Sequence, residues 1–100
     1  MSEYIFNSAE QAFINSCHVA KDAIAMGITD IEKVAFLAHE GWSEVASADY
    51  FGKLPVKEQT SKELKDSRFE LAKKDYTELA DDEKEKYRIL ARIFLKPRKV

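Results

Sequence analysis

Arg88 and Arg92 lie four residues apart, with Tyr87 beside them and Glu85 three residues before Arg88. At that spacing two side chains share one face of a helix, and a guanidinium fork matches a phosphate bidentately. The chemistry on offer is capture of a phosphorylated anion. The plainer alternative is a solvated face on which Glu85 and other acids hold the arginines. A second group comprises His39, Glu40 and Trp42, followed by Tyr50 and Phe51. Rings of this kind can form a slot for a base, where stacking is worth about 1–3 kcal/mol per base, with His39 supplying a hydrogen bond. In the plainer reading Trp42 is core packing and His39 bonds a backbone carbonyl at the core's edge. Tyr76 and Tyr87 divide the same way, as slot walls or as core rings with satisfied hydroxyls. His18 falls on a polar flank and reads as surface, and Cys17 reads as a small buried hydrophobe.

Catalytic machinery is not apparent. The chain has no Gly-rich phosphate loop, no HExxH and no G-x-S-x-G. Cys17 and His18 cannot act as nucleophile and base, because adjacent helical residues point about 100° apart. Glu40 with His39 would need a metal or a further base that the sequence does not identify. Two histidines and one cysteine are too few for a structural zinc site within one chain. The expectation is a non-enzyme without a metal or cofactor.

The elements that must position these residues are helices. Ser8 with Gln11 reads as a capping box, and Phe13, Cys17, Ala20 and Ile24 then recur at helical spacing. Gly27 is a C-terminal stop, so helix one spans about 9–26. Thr29 with Glu32 repeats the box and opens helix two, about 30–46, with the stripe Ile31, Val34, Ala35, Ala38, Trp42 and Val45. Phe36 and Leu37 broaden its apolar surface, which makes it the most buried helix. Gly41 inside it costs up to about 1 kcal/mol against alanine, which points to a close packing partner or an irregularity nearby. Residues 47–59, holding Gly52 and Pro55, read as a loop with room for a short strand. Thr60 with Glu63 opens a charged surface helix, about 61–74. A turn at Tyr76–Ala80 leads to the last helix, about 81–95, whose acids Asp81, Asp82 and Glu83 complement the macrodipole. That helix buries Tyr87, Leu90, Ala91 and Phe94, and Pro97 ends it. Tyr4, Ile5 and Phe6 are expected to tuck onto the core.

The fold class expected is therefore mainly α: one domain over residues 1–100, about four helices, and an aromatic loop between the second and third. One hundred residues, 45% apolar and 34% charged, suit a soluble domain with a modest core. No apolar run reaches the length of a membrane span, and no secretory signal is visible at the N-terminus. The single cysteine fits a reducing cytoplasm. Net charge is −2 but uneven: residues 1–52 carry two cations against eight acids, and residues 53–100 carry fourteen against ten. Such polarity favours self-association or an anion held by the C-terminal half. A pI of about 5.7 argues against duplex nucleic acid, whose binders are strongly basic.

Two segments resemble the ryanodine-receptor repeat (RyR) domain, which also occurs as single copies in bacterial and phage proteins. Ile31–Trp42, IEKVAFLAHEGW, is similar to the family's helix of form IExxAxxxHExW. Tyr76–Arg92, YTELADDEKEKYRILAR, is similar to its closing segment, YxxLxxxEKxxYDRxxA. Tyr50-Phe51-Gly52 stands where the family has a Trp-x-Tyr-Gly element, and the family's prolines around Tyr76 are missing. The resemblance implies a small helical module that binds ligands or partners without catalysis. Its bacterial members are associated with nucleotide-derived signals in defence. The expected function is thus recognition of a nucleotide-like or phosphorylated small molecule through His39, Trp42, Tyr50, Phe51, Tyr76, Tyr87, Arg88 and Arg92. The alternative is a protein–protein interaction domain without a small ligand. A homodimer is expected, because the receptor proteins carry the repeat in tandem and a lone copy lacks its neighbour.

Overall fold

A computed structural model describes residues 7–56 and 60–95. Its elements in order are α1 (Ser8–Ala25), α2 (Ile31–Tyr50), α3 (Lys62–Lys73), the 3-10 turn η1 (Tyr76–Glu78) and α4 (Asp81–Leu95). Among the described residues there is no strand, and the chain forms a small, mainly α domain. The N-terminal apolar residues Tyr4, Ile5 and Phe6, and Pro97 with the basic tail, lie outside the described residues.

The caps of α1, α2 and α3 each fall one residue from the expected position. Asn7, Asp30 and Ser61 are the caps, accepting from the backbone N–H groups of Glu10, Glu32 and Leu64 respectively. All three are residue types at least as good at this position as the serine and threonines expected there. Of the displaced groups, Ser8, Thr60 and Gln11 are used in tertiary bonds instead. Ser8 is buried, shares a hydrogen bond with the Thr60 hydroxyl and accepts one from Arg68 Nη1 at 3.0 Å. Gln11 donates to the Pro55 carbonyl. Together these bonds tie the start of α1 to the loop before α3 and to α3 itself.

Helix α1 stops as its glycine predicts. Gly27 takes φ +97°, a left-handed conformation that costs glycine little, and the Ile28 N–H returns to the Ala23 carbonyl at 3.0 Å. Helix α2 runs on to Tyr50, four residues past the expected end. Ala46 and Asp49 continue its buried face, and nothing in the sequence breaks the helix before Gly52. The loop therefore opens at Phe51, and Tyr50 belongs to the helix.

Helix α2 is the centre of the molecule and packs against α1, α3, α4 and η1. One core cluster joins Ala20, Val34, Ala38, Leu90 and Ala91, with Cys17, Ile24 and Phe94 against it. A second joins Ala35, Tyr76 and Leu79, with Phe36, Leu71 and Tyr87 against it. Helix α3 buries no residue fully, consistent with its thin apolar stripe.

Gly41 does have the close partner its position implies. A methyl group there would lie 2.7 Å from Val19 Cγ2 and 3.2 Å from the Asn15 carbonyl oxygen. Two side-chain bonds hold the same seam, from Asn15 Nδ2 to the Gly41 carbonyl at 2.7 Å and from Ser16 Oγ to the Ala38 carbonyl at 2.8 Å. Overpacking costs about 1–3 kcal/mol, which should outweigh the roughly 1 kcal/mol that alanine gains in helix propensity. Gly41→Ala is expected to lower stability in urea unfolding, and Val19→Ala in the same chain should recover part of the loss. A gain in stability for Gly41→Ala alone would contradict the seam.

Candidate functional site

Rings and charges expected to converge separate into two groups. His39 is 2% exposed, and its Nε2 lies 2.9 Å from the Lys74 carbonyl oxygen and so donates to it. Its Nδ1 has no hydrogen-bond partner among the described residues. Around the imidazole stand Trp42, stacked at 6.1 Å and 17°, Tyr87 edge-on at 5.1 Å, and Tyr76 tilted at 6.4 Å. Trp42 is half-buried in this group. The cluster pins the chain between α3 and η1 onto α2. Burial pushes the Tyr87 phenol far above its ordinary range, so it stays neutral at any physiological pH.

Tyr50 and Phe51 form the other group. Tyr50 stacks on Phe69 of α3 at 4.0 Å and 6°, and Phe51 meets the same ring edge-on at 5.5 Å. Trp42 and Tyr50 lie eight positions apart on α2, which is about 12 Å along the axis. The expected slot between Trp42 and these two rings is therefore not formed. Because α2 does not end at 46, Tyr50 and Phe51 are carried away to close the α2–α3 contact.

The arginines are occupied. Arg88 donates from Nε to Glu32 Oε2 at 2.8 Å, and its Nη1 lies 3.5 Å from Glu85 Oε1. Arg92 Nη1 donates to Glu85 Oε2 at 2.8 Å. The Tyr76 hydroxyl donates to Glu32 Oε1 at 3.1 Å. A chain of charge thus runs Tyr76, Glu32, Arg88, Glu85, Arg92, joining η1, α2 and α4. Sequence spacing shows the Glu85 end; Glu32, 56 residues away from Arg88, is visible only in the fold.

Beside this network lies an open cleft of about 430 Å³. Ile28, Phe36 and Leu37 line it from the α1–α2 turn and α2, and Tyr76 and Thr77 line it from η1. Lys33 of α2, Lys84 of α4 and Glu32 complete the lining. Lys84 Nζ stands 5.8 Å from the centre of the Tyr76 ring, and Phe36 meets that ring edge-on at 6.2 Å. Of the residues singled out from the sequence, only Tyr76 lines the cleft. The signal for the rest is Phe36 and Leu37, which make the apolar surface of α2 wider than one packing partner requires. Among the described residues no cluster of three or more His, Cys, Asp or Glu could hold a metal, and no helix is long and apolar enough to cross a membrane.

Comparison with protein-family models, with curated proteins and with solved structures finds no match for this chain.

The charge network has a pH signature. Arg88 holds the Glu32 carboxyl below the usual carboxylate range, burial opposes this, and the Tyr76 hydroxyl adds to it. Arg92 does the same for Glu85, again against burial, with Arg88 contributing. A carboxylate whose folded pKa is depressed contributes stability that is complete above its unfolded value, about 4.3. That stability is lost as pH falls through the lower folded value. Stability should therefore fall from about pH 4 downwards, and Arg88→Ala should flatten the fall. Equal slopes for the two chains, from urea midpoints measured at each pH, would contradict this account.

Proposed function

We propose that this chain is a non-enzymatic binding module of the RyR-domain kind, taking a small anionic ligand in the cleft between α2, η1 and α4. A phosphorylated or nucleotide-like molecule is the case that the resemblance of Ile31–Trp42 and Tyr76–Arg92 implies. The observation that carries the reading is the cleft itself: an apolar concavity of about 430 Å³ with two lysines at its edge. Small-molecule sites are concave and mostly apolar, with a few placed polar groups. In this reading Lys33 and Lys84 hold the anion, while Tyr76 and Phe36 receive the body of the ligand. Arg88 acts by keeping Glu32 and Tyr76 in place. A cytoplasmic setting belongs to the same reading, with Cys17 half-buried and its thiol pushed up by burial.

A ligand at a hundredfold excess over its Kd stabilises the folded state by about 2.7 kcal/mol, on the order of 10 °C for a chain of this length. Adenine and guanine nucleotides, cyclic forms and simple phosphate monoesters should be screened by thermal shift. At least one is expected to raise the Tm, and Lys33→Glu with Lys84→Glu is expected to abolish the rise. Phe51→Ala, in the other ring cluster, should leave it intact. A flat response across the panel would count against a nucleotide or a simple phosphate ester as the ligand.

One observation favours the alternative, association with a second copy or another protein. Ile89 and Ile93, one turn apart on α4, are 50% and 64% exposed. If they form a self-association surface, light scattering gives a dimer mass that Ile89→Lys with Ile93→Lys reduces to monomer. A monomer at every concentration in the unaltered chain removes the dimer.

A further inference from the structure

Recognition of a base or ribose needs hydrogen-bonding groups that are free to pair, and the polar groups of the cleft are already paired. The Tyr76 hydroxyl donates to Glu32, and both Glu32 oxygens receive Arg88. The Thr77 hydroxyl donates to Asp75 Oδ2 at 2.6 Å. Along the walls the cleft offers carbon: Ile28, Phe36, Leu37 and the Tyr76 ring. A nucleobase placed against these walls would lose its water partners and find none in the carbon, with only the spare lone pairs of Glu32, Tyr76 and Thr77 left to accept from it, which weakens binding.

The lysines are the exception. Among the described residues neither Lys33 nor Lys84 lies within ion-pair distance of a carboxylate, whereas Lys62, Lys73 and Lys86 each hold one. Lys84 feels Glu32 at longer range, but Arg88 occupies that carboxylate. The cleft is thus apolar inside and cationic at its edge, with the two charges supplied by different helices. The complementary molecule is a hydrocarbon body ending in one anionic head.

Resting on the reading of this cleft as a ligand site, we infer that its occupant is a free single-chain amphiphilic anion, a medium-chain carboxylate or alkyl phosphate, rather than a nucleotide. The chain lies against Phe36, Leu37 and Ile28. The head bridges Lys33 and Lys84 and so ties α2 to α4. No covalent step is involved.

Binding of octanoate, decanoate, dodecanoate, decyl phosphate, decanol and AMP to the full chain, measured by calorimetry and amide NMR below micelle-forming concentrations, tests this. Each added methylene that enters the cleft should tighten binding about fourfold, with shifts centred on Ile28, Phe36 and Leu37. Decanol should bind more weakly than decanoate, and Lys33→Glu with Lys84→Glu should weaken decanoate at least tenfold while leaving decanol unchanged. Binding of AMP with no response to the carboxylates overturns the inference but leaves the anionic-ligand reading standing. Silence from the carboxylates, the phosphate and AMP alike overturns both. Affinity independent of chain length, shifts scattered over other faces, or binding to anionic lipid vesicles without binding to free decanoate overturns the free-amphiphile assignment alone.

Discussion

The close approach of α1 and α2 is the constraint on which the rest of the molecule depends. Gly41, Ala38, Ala20 and Ser16 leave almost no side chain between the two helices. The seam is fastened by side-chain bonds to two carbonyls of α2. With so little volume between them, the helices cannot shift without creating a void or a clash, since interiors are packed at crystal-like density. Helix α2 is therefore held on one side, and its remaining faces are free to receive α3, η1 and α4.

Those three elements are attached by polar groups as much as by apolar ones. The His39–Lys74 bond fixes where α3 ends, and the rings around His39 fix where η1 lies. The contacts among Tyr76, Glu32 and Arg88 then join η1 and α4 to the start of α2. Surface ion pairs taken singly contribute little to stability. This set matters more as a positioning device, because it joins three elements that are distant in sequence. It also consumes the arginines that sequence spacing marks as anion ligands. Lys33 and Lys84, which hold no carboxylate among the described residues, are the cations left facing the cleft.

Helix order and type are legible in the chain because local signals agree: apolar spacing at 3.6 residues, glycine at Gly27, and acids at the head of α4. The last helix falls at its expected bounds, Asp81–Leu95. Where reading goes astray, neighbouring residues compete for one role. Asn7 and Ser8, Thr29 and Asp30, and Thr60 and Ser61 are pairs of able caps, and tertiary demand for the other side chain decides between them in the case of Ser8 and Thr60. The end of α2 is obscured for a related reason. The stretch Ala46–Tyr50 carries no stop signal, and only its burial against neighbouring helices shows that it continues.

From its sequence alone, this chain determines that it is a small helical domain with a crowded second helix and an uneven charge. Those properties come from spacing and composition, which act locally. Which groups become partners is a matter of tertiary structure: Glu32 with Arg88, Tyr50 with Phe69, His39 with the Lys74 carbonyl. The same holds for the cleft, whose walls come from a turn, a helix, a 3-10 segment and a fourth helix. Pairing over such distances depends on how helices are rotated and spaced against one another, and that is set by packing volumes at seams such as Gly41–Val19, which no single stretch of residues encodes.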